Sequence, residues 1–110
     1  MTRVENERLA KAVAVAWDAI ADKLELDCAK ITPGSNDWYI VWVEGDIYII
    51  PRSEQSWDIW RKDESTRIDR IDADCVSAAW QALHYYCEDF CDDATKAVTE
   101  AGYGDLLPEE

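Results

Sequence analysis

The chain has 110 residues, 48% of them hydrophobic, and its 24 acidic against 11 basic residues give a formal net charge of −13. That length holds one domain, residues 1–110, and that hydrophobic fraction excludes a disordered acidic tail. The polar start is unlike a secretory signal, and no apolar run approaches the ~20 residues of a membrane span.

Thr2-Arg3-Val4-Glu5 has the spacing of a capping box, with Thr2 as N-cap. Leu9, Val13, Ala16, Trp17, Ile20 and Leu24 then recur at three- and four-residue steps, which predicts a helix from about 3 to 25. Glu7 and Lys11 form an i,i+4 pair on its other side. Pro33-Gly34-Ser35-Asn36-Asp37 reads as a loop by composition. Trp38 to Val43 is rich in aromatic and β-branched residues and reads as a strand. Glu44-Gly45-Asp46 is a tight turn, and Ile47-Tyr48-Ile49-Ile50 returns as the second arm of a hairpin, its ladder ended by Pro51. Trp57 to Arg61 predicts a third strand and Thr66 to Arg70 a short fourth.

Asp72 is placed to cap a second helix, with Ile71 and Val76 as its hydrophobic staple. Val76, Trp80, Leu83, Cys87, Phe90, Ala94, Val98 and Ala101 alternate by four and three, which predicts one long helix stopped at Gly102. Residues 102–110 form a tail. The expected architecture is α+β: an N-terminal helix, a four-stranded antiparallel meander and a long C-terminal helix.

The charge is unevenly spread. Residues 72–110 hold ten acidic side chains and one base, Lys96. On a helix Glu88 faces Asp92 and Asp89 faces Asp93, two like-charged pairs that each cost a few tenths of a kcal/mol. Added salt is therefore expected to raise the melting temperature, and Asn at positions 92 and 93 to stabilise the chain. The bland account of this cluster is a solvated helix face; the lack of interspersed lysines argues for an acidic binding surface. Paired aspartates also look like half of the aspartate-rich motif of isoprenoid synthases, but the large helical bundle and second motif of those enzymes are missing.

His84, Cys87 and Cys91 fall at i, i+3 and i+7 of the predicted helix, a set with zinc-binding chemistry, and Cys75 or Cys28 would supply a fourth ligand. Structural zinc prefers C-x₂₋₄-C knuckles, so reduced structural thiols are expected, with no metal and no cofactor. The chain has one histidine, no Gly-rich phosphate loop and no activated nucleophile, which predicts a protein that is not an enzyme.

Six tryptophans are the other signal. Along 38–43 both faces are apolar, with Trp38, Ile40 and Trp42 on one and Tyr39, Val41 and Val43 on the other. A sheet covered on one side alternates apolar with polar. Either helices lie on both faces, or one face is held for a partner. Trp60 shares its side with Asp58 rather than with Trp57, which makes it the best candidate for an exposed anchor. Aromatic residues on a sheet also stack nucleic-acid bases, but the net charge argues against direct nucleic-acid binding.

In size, acidity and absence of catalytic motifs the chain resembles small phage-encoded inhibitors of bacterial defence, of the anti-CRISPR and DNA-mimic anti-restriction kind. That resemblance implies an inhibitor in the host cytoplasm. It would occupy the basic nucleic-acid-binding surface of another protein through Glu88, Asp89, Asp92 and Asp93. The alternative is a protein-interaction module or homodimer joined through the aromatic sheet face at Trp60, with the acidity serving solubility.

Overall fold

The computed structural model describes residues 2–34, 38–62, 64–84 and 86–107, with the backbone alone over 64–68. Chain order is α1 (Arg3–Leu24), β1 (Lys30–Pro33), β2 (Tyr39–Trp42), β3 (Ile47–Ser53), β4 (Ser56–Arg61), β5 (Glu64–Ile71), α2 (Cys75–Ala82) and α3 (Glu88–Val98). A π-type turn over Thr99–Tyr103 and a 3₁₀ turn over Gly104–Leu106 follow.

The α1 helix begins as its sequence predicts, with the Thr2 hydroxyl accepting from the Glu5 N–H at 3.1 Å. Glu25 closes it in the left-handed region at φ 57. Leu9, Val13, Ala16, Trp17 and Ile20 are buried along its length, and so are Ala10, Ala12, Ala14 and Ala21. The alanines let neighbours approach closely, so α1 touches the sheet on one side and both α2 and α3 elsewhere. At 22 residues it runs about 33 Å, the longest dimension of the molecule at 33 Å.

All five strands pair antiparallel in chain order, so the sheet is a five-stranded meander rather than a four-stranded one. The additional strand is β1, which pairs Lys30 with Trp42 and Pro33 with Tyr39. Pro51 does not end the ladder; it pairs with Trp57 inside β3. The β2 pairing stops at Val41↔Ile49, so at Pro51 the strand has a ladder neighbour on one side only, where proline is tolerated. Between β4 and β5 the register shifts at Trp60, a bulge that sharpens the local twist.

The predicted C-terminal helix is two helices. Asp74, not Asp72, is the cap of α2, its carboxylate accepting from the Ser77 N–H at 2.9 Å. Ile71 is the last residue of β5 and part of the core. The chain leaves the helical path after Leu83, where His84 takes a left-handed φ of 55, and α3 starts afresh with Cys87 at its N-cap. The predicted apolar stripe is thus interrupted: Val76, Ala94 and Val98 are buried, Trp80, Leu83, Cys87 and Phe90 are half-buried, and Ala101 is exposed. Gly102, at φ 92, stands where helical geometry ends, as expected. Of the predicted loop and tail, residues 35–37 and 108–110 lie outside the described residues.

One core cluster joins α1, α2 and α3 to Val41, Ile49, Trp57, Ile59 and Ile71 of the sheet. Two buried indoles are satisfied within it, Trp17 Nε1 donating to the Asp27 carbonyl and Trp57 Nε1 to the Ala73 carbonyl, both at 2.9 Å. The Asn6 side chain, also buried, accepts from the Tyr39 N–H at 2.7 Å and ties α1 to β2. No described helix is long and apolar enough to cross a membrane.

Candidate interaction site

Alternation along a strand sends neighbouring side chains to opposite faces, and here the helices take one face only. Tyr39, Val41, Ile49, Trp57 and Ile59 join the helical core. Their neighbours Ile40, Trp42, Tyr48, Ile50, Asp58 and Trp60 stand on the other side. Both faces of the hairpin are apolar in sequence because one is core and the other is uncovered among the described residues.

The register lines up Lys30, Trp42, Tyr48 and Trp60 in one row across four strands. Trp42 and Tyr48 have ring centroids 4.7 Å apart; Tyr48 and Trp60 are 6.5 Å apart with planes 7° from parallel. Such cross-strand aromatic pairs hold the face rigid before anything binds it. Beside this row is a hollow of about 510 Å³ lined by Gly34, Trp38, Ile40, Tyr48, Ile50, Arg52 and Trp60. Trp60 is where the alternation placed it, though half-buried by its neighbours rather than fully exposed.

The polar groups of this face largely pair with each other. Trp42 Nε1 donates to the Thr32 hydroxyl at 2.9 Å. Asp58, 2% exposed, accepts from Arg52 Nε at 2.7 Å and from Arg70 Nε at 3.1 Å. Burial pushes the Asp58 carboxyl up, but the arginine hydrogen bonds and charges outweigh it and hold the group below its ordinary value. Trp60 Nε1 is buried without a partner among the described residues. Among the described side chains, the strand residues of this face thus present three that are basic, Lys30, Arg52 and Arg70, against one acid, Asp58. That sign is opposite to the net charge of −13.

The acid excess lies on the helical side. Glu88 and Asp89 occupy the first turn of α3 and are exposed, as is Asp92 one turn on. At a helix N-terminus carboxylates are stabilised by the macrodipole, which offsets the like-charge cost read from their spacing. Asp93 departs from the expectation of a free carboxylate: it is half-buried and ion-paired with Lys23 of α1 at 3.2 Å. The structure therefore groups Glu88, Asp89 and Asp92 on the outer surface, separates Asp93 from them, and leaves Trp60 on a different surface.

His84, Cys87 and Cys91 are not successive positions of one helix, because the chain breaks between α2 and α3. No group of three or more potential metal ligands comes together among the described residues. Burial, and the charge of Asp74 after it, push the Cys75 thiol up to about 12, so that cysteine is an inert part of the core. Burial likewise raises Cys91, while Cys28 is exposed.

Comparison with protein-family models, with curated proteins and with solved structures found no match to this chain.

Proposed function

We propose that this chain is a non-enzymatic binding protein that engages a protein partner through the uncovered face of its sheet. The observation that carries the reading is the row of Trp42, Tyr48 and Trp60, beside the Trp38–Ile40–Ile50 hollow, on the side of the sheet opposite all three helices. An apolar patch of this extent, rimmed by charged side chains, is the usual mark of an interaction surface. Tryptophan, tyrosine and arginine are the residue types that dominate binding energy.

A second reading is favoured by the exposed, base-poor carboxylates of α3. In it the helical layer is an acidic decoy for a basic nucleic-acid-binding protein, as in anti-CRISPR and DNA-mimic inhibitors. One pair of variants separates the two. Trp60→Ala removes a sheet-face anchor, and Asp89→Lys with Asp92→Lys reverses the charge of the α3 surface. The sheet-face reading expects partner capture to fall about 30-fold or more with the first and to persist with the second. Capture lost to charge reversal and indifferent to Trp60→Ala would establish the decoy instead.

A further inference from the structure

We propose that the hollow between β5 and the α2–α3 connection is a binding site for an alkylated ammonium group. It shares no lining residue with the Trp38–Trp60 hollow of the sheet face, and the inference is independent of the sheet-face reading.

The walls of the site come from the break between the two helices. Helix α2 ends at Ala82, and the left-handed φ of 55 at His84 turns the chain aside. Tyr86 thereby returns to Trp80, with ring centroids 5.1 Å apart and planes 70° from parallel. A parallel stack spends two π faces on each other, whereas a near-perpendicular pair forms a corner. Asp69, Gln81 and His84 complete a hollow of about 310 Å³ around that corner. Trp80 is half-buried against the core, while Tyr86 is 62% exposed and stands outside it.

Charge selects the ligand. Asp69 brings a carboxylate to the lining, and its neighbour Arg70 is turned to the open sheet face, where it is bonded to Asp58. Asp69 accepts from the Arg70 backbone N–H at 2.8 Å and forms no ion pair among the described residues. No lysine or arginine lines the hollow among those residues either. Asp72 before α2 and Glu88 and Asp89 at the start of α3 are exposed, and the net charge of −13 concentrates cations at the surface.

A cation over an aromatic face is held by the ring quadrupole, and a quaternary ammonium is the group that aromatic walls recognise best. A bare ammonium is a compact, strongly hydrated charge and keeps its water. An anion is repelled by the same carboxylates, and a neutral sugar makes no use of the Asp69 charge.

Titration of the full chain with tetramethylammonium chloride, at constant ionic strength and about pH 8, tests the site through the NMR signals of the Trp80 and Tyr86 rings. Saturation is expected with a dissociation constant on the order of 1–10 mM, ordinary for so small a ligand. Binding should be at least about fivefold tighter than that of tert-butanol, which has the shape without the charge, and of ammonium chloride, which has the charge without the methyl groups. Tyr86→Ala should weaken it at least about fivefold with an unchanged circular dichroism spectrum, and Tyr86→Phe should retain it. Asp69→Asn should weaken it about threefold or more, with the difference shrinking in salt. Choline and an acetylated trimethyllysine amide, titrated in parallel, distinguish a free amine from a modified lysine side chain by which of them binds more tightly.

Equal affinity for tert-butanol would reduce the hollow to an apolar crevice, and equal affinity for ammonium would reduce it to a counter-ion cloud; either overturns the proposal. So would binding that survives Tyr86→Ala unchanged, or tighter binding of methyl β-glucoside. None of these measurements reads Trp42, Tyr48 or Trp60, so failure here leaves the sheet-face reading standing.

Discussion

Trp57 and Trp60 lie three residues apart on the same strand and do different work. Trp57 is 0% exposed, its ring in the helical core and its indole N–H bonded to the Ala73 carbonyl. Trp60 stands across the sheet in a row with Tyr48 and Trp42, half-buried by them and covered by no described element. The same contrast runs through Val41 against Trp42 and Ile49 against Ile50. Apolar residues of one face hold the domain together; those of the other stand uncovered among the described residues. Hydrophobicity along a strand therefore does not by itself separate core from open surface, and the position of the helices does.

Substitution should expose this difference most strongly at the two tryptophans. Trp57→Ala is expected to cost about 3–5 kcal/mol in urea denaturation, the range for truncating a buried aromatic. Trp60→Ala should cost less than about 1.5 kcal/mol while acting on association. Equal losses would mean that the two faces are equally structural.

A smaller effect is expected at Asp58, a buried carboxylate of the open face. Asp58→Ala should cost about 1–3 kcal/mol, because it removes charge-assisted hydrogen bonds from Arg52 and Arg70. Since the folded state holds this carboxyl below its ordinary value, its contribution is complete above about pH 4 and lost as pH falls through the lowered value. Acid unfolding curves should be shallower for Asp58→Asn than for the parent. Asp18 has the opposite sign: burial raises its carboxyl despite the hydrogen bond from the Ala29 N–H. Its ionised form opposes folding above the ordinary carboxylate range, so Asp18→Asn should slightly raise stability at pH 7.

Thiol reactivity sharpens the contrast between core and surface without perturbing either. Cys28 should react with a thiol reagent in the native protein, and Cys75 only on unfolding. Prompt native labelling of Cys75 would contradict its burial in the first turn of α2. The smallest expected effect is in α3. Asp93→Asn should lose a few tenths of a kcal/mol with the Lys23 pair, whereas Asp92→Asn should be neutral or slightly stabilising. This divides the expectation that both changes stabilise.

Much of the fold is legible in the sequence, for reasons visible in particular residues. The 3.6-residue spacing of Leu9, Val13, Trp17 and Ile20 marks the buried face of α1, and Glu44-Gly45-Asp46 marks the turn of the hairpin, where Gly45 takes φ 63. The β1 strand was hidden because Lys30-Ile31-Thr32-Pro33 is an exposed edge strand without apolar alternation. The break before α3 was hidden because Leu83, Cys87 and Phe90 continue helical spacing across it, with no glycine or proline between. Its signal is Glu88-Asp89 itself, the acidic first turn of a new helix. Ala10, Ala12, Ala14 and Ala21 read as neutral helix formers, although each is a point of close contact.

The candidate site was legible in part. Alternation set Trp38, Ile40 and Trp42 apart from Tyr39, Val41 and Val43 and paired Trp60 with Asp58. Whether a second helix covered that face depends on chain path between elements, which local pattern does not encode. The Arg52–Asp58–Arg70 cluster joins three strands and has no local signature at all.

Hydroxyl-radical footprinting with and without a captured partner addresses the sheet-face proposal most directly, because it reports both surfaces of one molecule at once. When the partner binds, labelling of Trp42, Tyr48 and Trp60 should fall together, while Tyr86, exposed on the helical side, keeps its reactivity. Protection appearing at Tyr86 with the sheet-face aromatics unchanged would contradict the account and move the binding surface to the helices.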